Sequence, residues 1–282
     1  MKDTQISTTA LGIAAMRAIE SEKPPEVRIC YDPFARQLTS TGFYLLSKLF
    51  AGYGEKRAPG TQGFIVCRCR YFDDYLQQCL KGGIAQVVIL GAGLDSRAYR
   101  VESAGGEVKY FEVDQPATQK SKIERIRRVF GTPPANVVYV PVDFNEESLD
   151  KLHSCGYDRS QRTVFLWEGV TYYLQPAAVD ATLAWIRSNS AARSAILFDY
   201  IDAEALTLRQ RGEIKRMQRY RGITGEGLIF GIEKGQIQTF LGERGFQNVV
   251  DADADELRRL YCTGLNRDRA VAGVYSIVHA ET

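Results

Sequence analysis

The stretch Val87-Val88-Ile89-Leu90-Gly91-Ala92-Gly93-Leu94-Asp95-Ser96-Arg97 decides the fold. Its opening run of apolar, largely β-branched residues reads as a strand buried on both faces. Gly91 and Gly93 then let the backbone turn sharply and approach a ligand where a Cβ would obstruct it. Leu94 to Arg100 is expected to open a helix whose free N–H groups face the same space. Strand, glycine turn and helix N-terminus make a pocket of the nucleotide-binding type.

Downstream, strands alternate with helices, the pattern of a parallel sheet covered on both faces. Strands are expected at Val108–Val113, Val137–Val140, Thr163–Trp167 and Ala195–Phe198, with helices near 117–130 and 176–187. Residues 203–235 interrupt the rhythm with a polar, Arg-rich helix (204–221) and a Gly-rich turn (222–231). A helix near 235–243, a strand at Asn248–Val250, a helix at 254–261 and a strand at Val271–His279 complete a sheet of about seven strands. Upstream, three helices are expected: 8–22, stopped by Pro24-Pro25; one from the Asp32-Pro33 cap to Phe50; and about 62–80, after a loop from Gly52 to Gly63. The expectation is one α/β domain of 282 residues: helical cap 1–82, ligand-binding core 83–202, substrate-lid insertion 203–235 and end of sheet 236–282.

Composition narrows the partners. A net charge of +2 gives no field strong enough to argue for nucleic acid or an anionic membrane. No apolar run approaches the roughly 20 residues of a membrane span, and Met-Lys-Asp-Thr-Gln lacks the apolar core of a signal peptide. A cytoplasmic protein is expected. The six cysteines form no C-x-x-C pair, and with only His153 and His279 available no metal site is expected.

Four successive strands end in acid: Asp95 shortly after the first, then Asp114, Asp143 and Glu168. A single acid there usually caps a helix, but four around a glycine turn also suit a nucleoside with a charged tail, bound beyond the strand ends. Asp114 can accept both ribose hydroxyls. Asp143 can accept from an adenine amine, with Phe144 packing the base, and Glu168 would face the ligand's cationic part. On the third helix Arg68 falls within the stripe of Phe64, Tyr71, Phe72, Tyr75 and Leu76, whereas Arg70 falls outside it. An inward guanidinium needs an anion, supplied either by a core carboxylate or by a ligand carboxylate. A dinucleotide loop would carry a third glycine where Ser96 stands, and Asp95 would repel a phosphate. S-adenosylmethionine, with a sulfonium, an ammonium, a carboxylate and no phosphate, fits better than a nicotinamide cofactor.

Five motifs in order also resemble the leucine carboxyl methyltransferase family. They are Asp32-Pro33-Phe34-Ala35, Arg68-x-Arg70-Tyr71-Phe72-Asp73, Gly91-Ala92-Gly93-Leu94-Asp95-Ser96-Arg97, Phe111-Glu112-Val113-Asp114-Gln115-Pro116 and Glu168-Gly169-Val170-x-Tyr172-Tyr173-Leu174. The likeness runs from about residue 8 to 200 and is nearest to the branch that includes polyketide O-methyltransferases. It implies a class I methyltransferase fold, Rossmann-like, with an antiparallel last strand and an N-terminal helical cap. It also implies that Arg68 binds the methionine carboxylate of the cofactor and that Gly91, Ala92 and Gly93 lie under its methionine and ribose. Asp114 would then hold the ribose, Asp143 and Phe144 the adenine, and Glu168 would line the methionine end. The protein-modifying members carry longer inserts than this chain, which turns the expectation from a protein C-terminus towards a smaller acceptor.

Methyl transfer is an in-line displacement at a carbon already activated by the sulfonium, so the protein mainly aligns and excludes water. Neither histidine is placed as a base, which favours an acceptor that is already ionised: a carboxylate or acidic hydroxyl of a small natural product or short peptide of secondary metabolism. Tyr172, Tyr173, Asp199 and Tyr200 are expected to shape the acceptor pocket, and no residue is singled out as catalytic. The Arg-rich run Arg209, Arg211, Lys215, Arg216, Arg219 and Arg221 reads as a solvated helix face or as a site for an anionic acceptor. The competing functions are a protein carboxyl methyltransferase, a nicotinamide-dependent oxidoreductase and a non-catalytic cofactor-binding protein.

Overall fold

The computed structural model describes residues 7–101, 108–207 and 227–282. Four helices come first: α1 (Thr8–Ser21), α2 (Ala35–Leu38), α3 (Thr41–Arg57) and α4 (Thr61–Lys81). The sheet follows, with β1 (Gln86–Leu90), α5 (Arg97–Arg100), β2 (Lys109–Asp114), α6 (Pro116–Phe130), β3 (Val137–Pro141) and α7 (Lys151–Ser154). Next are β4 (Thr163–Trp167), a single tight turn at Thr171–Tyr173, α8 (Pro176–Ser188) and β5 (Ala195–Ile201). Helix Ile237–Gly242, β6 (Gln247–Ala252), helix Ala254–Tyr261 and β7 (Tyr275–Glu281) end the chain.

The seven strands form one sheet in the order β3-β2-β1-β4-β5-β7-β6. All run parallel except β7, which is antiparallel to both β5 and β6. This is the α/β arrangement expected from the sequence, and the physical reason lies in the strands. Every residue of β1, β4 and β5 is buried, as strands covered on both faces must be. Val87 and Ile89 pack with Phe64, Phe72 and Leu76 of α4 on one face. Val88 and Leu90 pack with Val179, Leu183 and Ile186 of α8 on the other. Chain order reverses between β1 and β4, and a crevice opens at such a point beyond the strand ends.

The cap departs from expectation in its boundaries. The single helix from Asp32 to Phe50 breaks after Leu38, where Thr39 is extended (φ −88°, ψ 160°) and the Ser40 hydroxyl accepts the Phe43 N–H (3.3 Å) to start α3. The expected loop from Gly52 to Gly63 is mostly helix. Gly52 and Gly54 lower helix propensity by only about 1 kcal/mol each, so α3 runs to Arg57 and the chain turns at Ala58-Pro59-Gly60. The helix expected from Leu94 begins only at Arg97, because the Asp95 carboxylate accepts the Arg97 N–H (2.7 Å) as a cap would. The last strand starts four residues later than expected, at Tyr275. Of the 203–235 insertion, residues 208–226 lie outside the described residues, and with them the Arg-rich run.

Candidate functional site

A cavity of about 330 Å³ lies over the ends of β1, β2 and β4, within the range of small-molecule sites. Its floor is the turn after β1. Gly91 (φ +65°) and Gly93 (φ +44°) adopt left-handed backbone that side chains disfavour, and a Cβ on Gly91 would lie 2.3 Å from Val170 Cγ2. The turn closes through Asp95 N–H to Ala92 C=O (2.7 Å). Asp114, at the end of β2, lines one wall and accepts the N–H groups of Gly93 and of Gln115 (2.6 Å). Phe144 and Asn145 line the same side. Helix α1 covers the top with Ala10, Ile13 and Arg17, and Val170, Tyr173 and Leu174 close the side beyond β4.

Beneath the opposite end runs a continuous buried chain of charge. Arg17 pairs with Asp32 (3.0 Å), and Arg100 bridges Asp32 (3.9 Å) to Asp73 (2.7 Å). Arg97 joins Asp73 (2.7 Å), Asp95 and Glu168 (2.6 Å). Arg68 then joins Glu168 (3.0 Å) to Asp199 (2.6 Å). Four guanidiniums thus face five carboxylates, one negative charge in excess, where the dielectric is low. Burial alone would raise Glu168, but Arg97 and Arg68 hold its carboxyl below the usual carboxylate range. At Asp199 burial outweighs Arg68 and leaves the carboxyl raised. Burial opposes the charge on Arg68, yet Asp199, Tyr172 and Glu168 hold its pKa well above the ordinary value.

The sequence-predicted residues divide around this geometry. Arg68, Gly91, Ala92, Gly93, Asp114, Phe144, Glu168 and Tyr173 line the cavity together. Arg68 meets the core-carboxylate alternative on two of its nitrogens: Nε is held by Glu168, and Nη1 by Asp199 and the Tyr172 hydroxyl (3.1 Å). Its Nη2 has no acceptor among the described residues. Asp143 does not line the cavity; its carboxylate accepts the Asn145 N–H (3.0 Å) and caps the turn after β3. Tyr172 and Asp199 are corrected too, for both sit behind the wall as partners of Arg68. Tyr200 is on the wrong side of the sheet altogether. Successive strand side chains point to opposite faces, so beside an inward Asp199 the Tyr200 ring packs with Phe198 and bonds Asp251 on β6 (3.1 Å).

Arg17 and Arg97 escaped the sequence reading. The signal for Arg17 was present: it stands four after Ile13 and three after Ala14, an inward position like that of Arg68. Arg97 is fully buried, and a residue that opens a short helix gives no periodicity from which burial could be read. Both histidines lie elsewhere: His153 bonds Asn189 (3.1 Å), and the His279 ring packs 4.4 Å from that of Tyr75. Among the described residues no group of His, Cys, Asp or Glu could hold a metal ion, and no helix is long and apolar enough to cross a membrane.

Known proteins agree with this architecture. The family model for leucine carboxyl methyltransferase matches residues 10–187. A protein of Mycobacterium sp. (strain JLS), named for S-adenosyl-L-methionine-dependent methyltransferase activity, is 31% identical over 264 residues, covering 86% of this chain and 85% of its own. A solved structure from Thermobifida fusca described as a methyltransferase superposes with a TM-score of 0.62 at 17% identity, covering 98% and 95% of the two chains. A DUF574 family protein from Streptomyces avermitilis gives 0.63 at 11% identity over 99% of each, and at such identities the likeness is one of fold. The protein uses S-adenosylmethionine as its cofactor. On the match over residues 10–187 and the shared identity, the chain belongs to the leucine carboxyl methyltransferase family of S-adenosylmethionine-dependent methyltransferases.

Proposed function

We propose that the chain transfers a methyl group from S-adenosylmethionine to an oxygen that is already ionised, a carboxylate or acidic hydroxyl on a small natural product or short peptide of secondary metabolism. The observation that carries the reading is the absence of an imidazole base: the chain has two histidines, and both are held away from the cavity. A carboxylate needs no deprotonation at neutral pH, whereas a simple phenol with pKa near ~10 would.

The residues present fit the cofactor. The excess negative charge of the buried chain, next to the Asp114 carboxylate, suits a ligand with net positive charge and disfavours a pyrophosphate. Bound there, the cofactor supplies a methyl group made electrophilic by its sulfonium. Asp114 would accept from the ribose, and Phe144 would pack against the base. Arg68 Nη2 would donate to the methionine carboxylate, and Glu168 would face the ammonium. The chain orients the reactants and keeps water out: Ile13, Val170, Tyr173, Leu174 and Ile229 give the wall its apolar surface.

Mass spectrometry of a panel of carboxylic acids and phenols, incubated with the protein and methyl-labelled cofactor, tests the reading. Labelled esters should appear, with a rate nearly independent of pH between about 6 and 9. Labelled ethers of unactivated phenols alone, at rates climbing with pH, would replace it with a base-assisted mechanism. Cofactor binding with no labelled product from any acceptor would favour a non-catalytic role.

A further inference from the structure

Beneath the glycine turn, on the side away from the cavity, lies a second buried ion pair that the cofactor reading leaves without a role. Lys122 of α6 and Glu112 of β2 are 1% and 0% exposed, with Lys122 Nζ 2.8 Å from Glu112 Oε2. A buried pair of this kind seldom adds net stability, because desolvation of the two charges offsets their attraction. Its geometry points to another use. Lys122 Nζ also reaches the Ala92 carbonyl oxygen (3.4 Å), the acceptor that closes the turn through Asp95 N–H.

The Ala92 carbonyl and the Gly93 N–H belong to one peptide group. Its N–H end is taken by the Asp114 carboxylate and its C=O end by the Lys122 ammonium. A peptide that precedes a glycine is the easiest in a turn to flip, since Gly93 carries no Cβ to oppose the rotation. Flipping this one would aim the carbonyl oxygen at the Asp114 carboxylate and push the carboxylate aside. A cation at the far end opposes the flip, because the carbonyl would lose its charge-assisted partner. Glu112 holds that ammonium in place, 2.8 Å from Lys122 Nζ.

We propose that Lys122 is a positioning residue for cofactor binding: held by Glu112, it locks the Ala92–Gly93 peptide in the orientation that presents Asp114 to the ribose. This rests on the placement of the cofactor over the turn. Calorimetric titration of the full chain with S-adenosylhomocysteine, beside thermal unfolding, tests it with three variants. Lys122→Met should weaken binding about five- to tenfold. Lys122→Met/Glu112→Leu, which replaces the pair by apolar volume, should recover the melting temperature of the wild type and still bind as weakly as the single variant. Recovery of affinity together with melting temperature would show that the pair serves only the core and would overturn the proposal, as would wild-type binding by Lys122→Met. Should the single variant fail to fold, the double variant decides alone. Asp114→Ala is the control: if it binds as the wild type does, the placement of the cofactor itself is wrong, whatever Lys122 does.

Discussion

The two ends of the cavity use the same residue type in opposite ways. At the β2 side Asp114 accepts the backbone N–H groups of Gly93 and Gln115, and it lies at the cavity wall. At the β4–β5 side Glu168 and Asp199 are enclosed by arginines from α4 and α5, in a chain that extends back to α1. One wall places its carboxylate at the cavity, while the other spends most of its acidity on holding the helical cap to the sheet. Acids at strand ends are therefore one pattern in sequence and two kinds of chemistry in the fold. The difference comes from the cap, whose inward arginines reach only one end.

The largest effect should come from cutting the enclosed side. Arg97→Met leaves Asp73, Asp95 and Glu168 without their shared guanidinium, and breaking a buried pair from one side costs about 3–5 kcal/mol. Denaturant unfolding at pH 7 reads it, and a loss below about 1 kcal/mol would mean that the buried chain is ornamental. The pH dependence has a definite sign. Glu168 and Asp95 are held below their ordinary values, opposed by burial but outweighed by arginines, so their share of stability is full above the ordinary carboxylate range. That share is lost as pH falls through it, so the gap between wild type and Arg97→Met should narrow between about pH 5 and 3. Asp199, raised by burial, works in the opposite direction and softens the slope without reversing it.

Arg68 tests where the two sides meet, because it belongs to the buried chain and also lines the cavity. Arg68→Met should weaken S-adenosylmethionine binding by about 2–3 kcal/mol, the scale of a charge-assisted hydrogen bond pair. Arg70→Met, whose guanidinium is half exposed and pairs with Asp74 one helical turn on, should change affinity by less than about 0.5 kcal/mol. Equal losses in calorimetry would erase the distinction between the two helix faces.

Much of this was legible in the sequence, for local reasons. The glycine turn, the strand beneath it and Asp114 lie within the short span from β1 through α5 to β2, where residue type and spacing fix the geometry. The inward face of α4 was legible because the five apolar positions of the stripe from Phe64 to Leu76 hold one helical phase. The partners of Arg68 were not, since Glu168 and Asp199 are 100 and 131 residues away and nothing local announces them. Tyr200 failed for another reason. A strand buried on both faces shows no alternation of polarity, so its pattern does not say which of Asp199 and Tyr200 points inward. The tight turn at Thr171–Tyr173 likewise gives adjacent tyrosines different roles although their rings pack edge to face (4.8 Å): the Tyr172 hydroxyl meets Arg68, and Tyr173 lines the cavity.

Asp114 is the sharpest test of the open wall. Asp114→Ala should weaken S-adenosylmethionine binding by about 1–3 kcal/mol, the range of lost charge-assisted hydrogen bonds. The Gly93 and Gln115 N–H groups that it accepts sit at a turn, so the loss of folding stability should stay nearer 1 kcal/mol. Unchanged affinity would remove the ribose role and with it the contrast between the walls.

Asp143 should give the smallest effect, and it separates two readings of the adenine end. Its carboxylate takes the Asn145 N–H and comes only to 3.5 Å from Gln115 Nε2, while Phe144 faces the cavity. If the side chain only shapes the turn that carries Phe144, Asp143→Asn keeps an acceptor for the Asn145 N–H. Affinity should then move by less than about 0.5 kcal/mol, because asparagine caps nearly as well as aspartate. If the carboxylate swings to accept from the adenine amine when the ligand binds, the same substitution should cost about 1 kcal/mol. It should also reduce the preference for adenosine over inosine analogues of S-adenosylhomocysteine, since the keto group of inosine offers no amine to accept from. A retained preference together with unchanged affinity would leave Asp114 as the nucleoside's one charged contact on that wall, and base selection to Phe144 and the backbone beside it.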